Sequence, residues 1–432
     1  MGFSKRRITF FGHFGSTNFG NEATLQATLF NLRRLAPDAD FSCICTNPEI
    51  AIANYDIVAM PSRPSFFRPW AAHKPLANWV RKLIIGIPSE VYRWLKAFKT
   101  LRTTDALIVP GTGLLTDAHS FFYWGPYDMF RWSVAAKISG CKILFVSVGA
   151  GPIYTRAGRF FIRTALSLAD FRSYRDESSK RYLKGIGFRA AANDLVFPDL
   201  AFSLCETALP RGRDNKGRGP VVGIGLMEHA GRYGSEKRLG AAHRAYLETL
   251  AQFIKWLVAN DYQIRFLIGD LADAAVTREF KLLLKEQSAT FGDGRVIDER
   301  VATFGDVLRQ IAATDFVVAT RFHNVLFSLL LHKPTIAISF HHKCSSLMSQ
   351  MGMAEYCEDI NQLNVESLLE RFGGLQHNAG RITEMLTEKT ESCKKTLDEQ
   401  YDIVIRKISL GRQHVASPAV EIPHRSHRGA LS

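Results

Sequence analysis

The chain has 432 residues, 46% of them hydrophobic, and a formal net charge of +14. That length exceeds one ordinary core and predicts two domains, while no apolar run reaches bilayer-spanning length and the N-terminus lacks a signal-peptide core before Gly12. The seven cysteines (Cys43, Cys45, Cys141, Cys205, Cys344, Cys357 and Cys393) are scattered, with no CxxC pair and no zinc spacing, which predicts reduced thiols in a cytoplasmic protein rather than a disulfide framework.

From the N-terminus, Lys5 to Phe11 reads as a strand, the glycine-rich stretch from Gly12 to Glu22 as a loop, and Ala23 to about Leu35 as a helix. Strands are predicted at Phe41 to Cys45, Ala106 to Val109 and Lys142 to Val148. The last two are followed by the loops Pro110-Gly111-Thr112-Gly113 and Gly149-Ala150-Gly151-Pro152, where glycines let the backbone approach a ligand. Neither loop matches a dinucleotide fingerprint or a phosphate-binding P-loop. Phe160 to Ala169 is amphipathic, Phe171 to Tyr174 is a short strand, and Arg175 stands between that strand and the next helix.

The segment 63–102 carries nine Lys or Arg against one acid, Glu90, interleaved with Phe66, Phe67, Trp70, Trp79, Trp94 and Phe98. Such a mixture suits an anionic membrane surface. A helical hairpin packed on its own domain fits it as well. Nucleic acid ranks below both, because no recognition helix, zinc finger or RNP motif is present.

Residues 1–205 thus form a first α/β domain, and 206–219, with nothing worth burying, a linker. The alternation restarts over 220–375: strand Val221 to Leu226, helix His243 to Val258, strand Gln263 to Ile268, helix Val276 to Gln287, strand Arg295 to Ile297 and helix Thr303 to Ala312. The predicted fold is therefore α/β, two Rossmann-like parallel-sheet domains facing a cleft. A long helix over 376–410 and a disordered tail over 411–432 complete the chain.

The densest chemistry lies where the strand Phe316 to Ala319 ends in Thr320-Arg321-Phe322-His323-Asn324 before a helix, with Lys343 following the next strand, Thr335 to Ser339. Helix-start amides at a strand's carboxyl end favour an anion. Arg321 adds a planar charged fork and His323 a group that passes a proton near neutral pH. With no acid between Asp315 and Glu355, Arg175, Arg321 and Lys343 are expected to meet an anionic ligand. A metal is not demanded, since Asp and His do not cluster at ligand spacing.

Asn18 to Leu25, Pro110 to Asp117, Ser147 to Pro152, Arg175 to Ser178, Pro198 to Phe202 and Thr320 to Asn324 with Lys343 together resemble the polysaccharide pyruvyl transferase family, in matching order over about residues 8 to 375. One departure is Asn21, where the family often has Asp. The resemblance implies a glycosyltransferase-B-like fold and transfer of the pyruvyl group of phosphoenolpyruvate to two hydroxyls of a sugar, giving a cyclic ketal, with no cofactor. On this basis Arg175, Arg321, Lys343 and Asn324 are expected to hold the donor and His323 to act as acid/base or as a phosphate donor group. Asp117 and Glu22 are expected to deprotonate the sugar or else to cap helices. Asn18, Gly20, Gly111, Thr112, Gly113, Gly149 and Gly151 are expected to line the substrates. The acceptor is expected to be a polysaccharide or lipid-linked oligosaccharide, reached from the inner face of the membrane if segment 63–102 docks there. A nucleotide-sugar glycosyltransferase and a non-catalytic assembly protein are the alternatives.

Overall fold

Side chains of β1 (Arg7–Phe11) alternate between two cores: Ile8 and Phe10 enter one, Phe11 the other. The same two-residue period divides Ala106 and Ile108 from Leu107 and Val109 in β4 (Ala106–Pro110). Strands apolar on both faces are what a parallel sheet covered by helices requires. The computed structural model describes residues 5–64, 85–111, 113–117, 124–189, 191, 194–210, 219–228, 236–287, 294–340 and 342–409. The expected disordered tail, most of the linker and the start of the basic segment lie outside the described residues.

The first sheet has the order β3 (Val58–Pro61), β2 (Asp40–Cys45), β1, β4, β5 (Lys142–Val148), β6 (Phe171–Tyr174), β7 (Leu195–Val196), with all neighbours parallel. The second has the order β10 (Val296–Ile297), β9 (Gln263–Leu267), β8 (Val221–Gly225), β11 (Phe316–Ala319), β12 (Thr335–Ser339), β13 (Cys357–Asp359), again parallel. Strand order reverses between β1 and β4 in one sheet and between β8 and β11 in the other. Those switch points open crevices at the carboxyl ends of the strands. The loop after β1 meets the loop after β9: Asn18 bridges to Asp270, and Leu271 N donates to Thr17 O at 3.2 Å.

The first sheet carries α1 (Phe19–Leu35), α2 (Pro48–Tyr55), α3 (Ile87–Leu101), α4 (Trp124–Ile138), α5 (Arg156–Ser167) and α6 (Glu177–Gly185). The second carries α7 (Glu236–Ala259), α8 (Asp273–Glu286), α9 (Phe304–Ala312), α10 (Phe322–Leu330), α11 (His342–Gln350) and α12 (Val365–His377). Several helices begin earlier than periodicity predicts, and two of these starts lie at the site. Helix α1 starts at Phe19 rather than Ala23, because the Asn18 side chain accepts from Gly20 N and supplies the N-cap. Helix α10 starts at Phe322, so Arg321 is its N-cap residue and His323 lies in its first turn. Helix α2 and strand β3 were not expected; they are short, and β3 is the sheet's half-exposed edge.

The final helix, α13 (Ala379–Ser409), is continuous as predicted, but it packs back on the first sheet. Tyr401 OH lies 2.9 Å from Ser203 Oγ, Arg34 Nη2 donates to Asp398 Oδ1 at 2.6 Å, and Gln400, fully buried, sits against the end of β5. Gln400 Oε1 accepts from Ser147 Oγ at 3.0 Å and from Ser173 Oγ at 2.9 Å. Ser147 itself is held at φ +48, where β5 loses register with β6 and turns toward the cleft. Because Gln400→Leu takes its partner from the buried Ser147 hydroxyl, it is expected to lower the unfolding free energy by about 1–3 kcal/mol, read as a shift of the urea midpoint.

Candidate active site

Three cations reach one histidine from three strand ends: Arg175 follows β6, Arg321 follows β11, and Lys343 lies in the first turn after β12. The His323 ring is half-buried, with its Nδ1 buried and without a hydrogen-bond partner among the described residues. Burial first, then the charges of Arg321, Arg175 and Lys343, push its pKa down to about 3. The ring is therefore neutral at physiological pH. The expectation of a near-neutral pKa is corrected for the empty cleft, since both burial and neighbouring cations oppose an imidazolium.

Across the cleft the ring faces the start of α1. A Cβ on Gly20 would lie 2.0 Å from His323 Cδ2 and Nε2, so only hydrogen fits at that position. The expected close approach at Gly20 is thus met by a side chain of the opposite domain. Gly149 plays the same part for Arg175, whose Nη2 would stand 2.7 Å from a Cβ there.

The premise that the cations lack acidic partners is corrected. The acids come from distant segments. Arg321 forks onto Asp273, with Nε 2.9 Å from Oδ2 and Nη2 bonded to Oδ1; Asp273 is almost wholly buried at the start of α8. Arg175 Nη1 donates to Asp199 Oδ2 at 3.0 Å, its Nε lies 3.6 Å from Asp176 Oδ2, and its guanidinium sits 4.7 Å over the Phe322 ring. Asp199 also caps the turn Leu200–Ser203, which gives the motif Pro198 to Phe202 its physical role. Lys343 Nζ donates to Gly151 O at 2.8 Å, joining the two domains, and burial followed by the Arg175 charge lowers its pKa to about 8. Asp273, Asp199 and Phe322 are the residues that sequence reasoning missed. The first two lie 48 and 24 positions from the arginines they hold.

Other expected residues move away from substrate contact. Asn324 is fully buried in the second domain, packed against Gly225 and Gly269, with Nδ2 3.4 Å from Leu267 O. It spaces Gly225 at the end of β8 from Gly269 after β9. Asp117 is saturated by Tyr154 N at 2.8 Å, Thr155 N at 2.9 Å and Thr155 Oγ1 at 2.6 Å, so it pins the loop leading into α5. Glu22 accepts from Gly15 N at 2.8 Å and Tyr55 OH at 2.7 Å, folding the glycine loop back on α1, and burial raises its pKa. Both carboxylates are thus engaged by backbone amides and hydroxyls. Asn21 donates to His13 O at 3.2 Å, which an Asp at this position could not do. Asn18 serves as the α1 cap, Gly111 N donates to Val146 O at 2.8 Å, and a side chain at Gly113 would meet open space among the described residues. Thr112 lies outside the described residues.

The fold and this site define a two-domain α/β protein of glycosyltransferase-B type with a cationic cleft. The chain is 10% identical to a UDP-GlcNAc 2-epimerase from Neisseria meningitidis solved with UDP-GlcNAc, with a TM-score of 0.60 over 94% of this chain and 99% of that one. A putative UDP-N-acetylglucosamine 2-epimerase from Listeria monocytogenes superposes with a TM-score of 0.56 at 10% identity, over 89% and 91% of the two chains. At such identities the likeness is one of fold. The sequence profile of the polysaccharide pyruvyl transferases matches residues 18–342, and the chain belongs to that family. The amylovoran biosynthesis protein AmsJ of Erwinia amylovora is 22% identical over 313 residues, which span 67% of this chain and 70% of AmsJ.

Proposed function

We propose that this transferase moves the pyruvyl group of phosphoenolpyruvate onto two hydroxyls of a saccharide during polysaccharide biosynthesis. The observation that carries the proposal is the convergence of Arg175, Arg321 and Lys343 on a neutral His323 at the meeting of the two domains. A small polyanion relieves the mutual repulsion of those cations through charge-assisted hydrogen bonds. It also reverses the electrostatics at His323. The imidazole is a base in the empty cleft and becomes protonated once the donor's charge arrives.

In the proposed reaction the enol carbon C3 takes a proton from the His323 imidazolium, leaving an oxocarbenium-like centre at C2. The first sugar hydroxyl adds to C2 and gives its proton to the now neutral imidazole. Phosphate then leaves C2 with its bonding electrons, and the second hydroxyl closes the ketal as its proton passes to the departing phosphate. One donor and one diol become one ketal and one phosphate. Arg175 and Lys343 hold the departing anion, while Arg321, braced by Asp273, fixes the turn that carries His323.

The test is incubation with phosphoenolpyruvate and candidate glycans, following phosphate release and the mass of the pyruvylated product. Donor-dependent release is expected, and Arg175→Ala or Lys343→Ala is expected to weaken donor affinity about 10- to 100-fold, the worth of one charged hydrogen bond. Binding of UDP-sugars with no binding of phosphoenolpyruvate would overturn the proposal.

A further inference from the structure

We infer that the surface formed by α3, α4 and α5 docks on an anionic bilayer and so delivers a lipid-carried saccharide to the cleft; the second clause rests on the function proposed above. Helix α3 presents Ile87, Val91 and Leu95 to solvent at 56%, 54% and 63% exposure, while Ala97 and Leu101 are buried beneath. The spacing of four residues puts the three exposed side chains on one stripe. The stripe does not end at the helix. Trp94 packs on Phe130 of α4 at 6.3 Å between ring centroids, Phe130 packs on Phe160 at 6.1 Å, and Phe160 on α5 is itself 59% exposed. An apolar ridge thus runs across three helices.

Cations border it. Lys99 and Arg102 are exposed at the far end of α3, and Arg156, Arg159 and Arg163 are exposed along α5, a helix with no acidic residue. The one acid of α3, Glu90, is bonded to Arg93, Arg131 and Tyr127. Beyond α5 a cavity of about 800 Å³ is lined by Arg163, Lys180, Arg181, Lys184 and Arg189 against one acid, Glu177. Apolar side chains that reach the acyl boundary, flanked by basic residues at headgroup level, match an anionic bilayer. A nucleic acid would leave the apolar ridge unused.

Placement ties the surface to the site. In a parallel sheet each crossover helix starts at the carboxyl ends of the strands, so the first turns of α3 and α5 both lie on the cleft side. Helix α5 begins immediately after Thr155, at the end of the loop whose Gly151 carbonyl accepts from Lys343. A saccharide attached to a lipid headgroup at this surface needs only to reach over that loop.

The test is co-sedimentation of the full chain with vesicles of phosphatidylcholine containing phosphatidylglycerol, and with phosphatidylcholine alone. Binding to the anionic vesicles only, weakened by salt, is expected. Ile87→Ser/Val91→Ser/Leu95→Ser and Arg156→Ser/Arg159→Ser/Arg163→Ser are each expected to weaken that binding by at least about tenfold. Both variants should keep wild-type phosphate release with a water-soluble acceptor, because none of these residues is in the cleft. Wild-type vesicle binding by either variant, or no binding by the unaltered chain, overturns the inference. So does a stripe variant that changes only the oligomeric state, which would mark the ridge as a contact between copies. Vesicle binding needs no turnover, so failure of the proposed chemistry would register separately.

Discussion

Arg321→Ala is expected to cost about 3–5 kcal/mol of unfolding free energy and to abolish turnover. The stability loss follows from Asp273, whose almost wholly buried carboxylate would keep its charge site with no counter-ion. Burial already raises the Asp273 pKa, and the Arg321 hydrogen bond and charge oppose that rise. Removing both partners separates two roles. Asp273→Ala/Arg321→Ala is expected to recover most of the stability, since no unpaired charge remains buried, yet to stay inactive. Urea denaturation and phosphate release report the two quantities independently. Recovery of turnover in the double variant would reduce Arg321 to a partner of Asp273 with no part in positioning His323.

His323→Ala is expected to lower turnover by about 10²- to 10⁴-fold, the usual contribution of a positioned acid/base. The same residue predicts a pH effect on the donor-free protein. Its folded pKa of about 3 lies below the ordinary value of 6.5. Below pH 6.5 the unfolded chain therefore takes up a proton that the folded one refuses. Stability from this group is complete above pH 6.5 and falls as the pH drops toward 3, by up to about 1.4 kcal/mol per pH unit. The difference between wild-type and His323→Ala stability should change with pH only within that window. Donor binding should raise the ring's pKa and take up a proton, which calorimetry in buffers of different ionisation enthalpy would detect. Binding with no proton uptake at any pH would contradict the acid role of His323.

Much of the architecture was legible because its signals are local. Uniformly apolar strands ending in glycine loops, alternating with amphipathic segments, require a parallel sheet covered by helices, and their two successive runs require two sheets. The junction from Thr320 to Asn324 likewise reveals itself through a strand end, a helix start and the residue types between them. The cap at Asn18 was also present in the sequence, but the first turn of α1 has too few periodic apolar residues to move its start back to Phe19.

The sequence by itself determined the class of fold, the family motifs and the identity of the four basic residues that meet at the cleft. Only the tertiary structure decided what those residues do. Asp273 and Asp199 come from other strand ends to hold Arg321 and Arg175, Asn324 turns inward, and Asp117 and Glu22 are consumed by backbone amides and hydroxyls. Helix α13 returns to the first sheet through Gln400 and Tyr401. The physical reason is one of range. Periodicity and capping act over a few residues, whereas ion pairing, burial and the resulting shift at His323 depend on which distant segments the folded chain brings within a few ångströms.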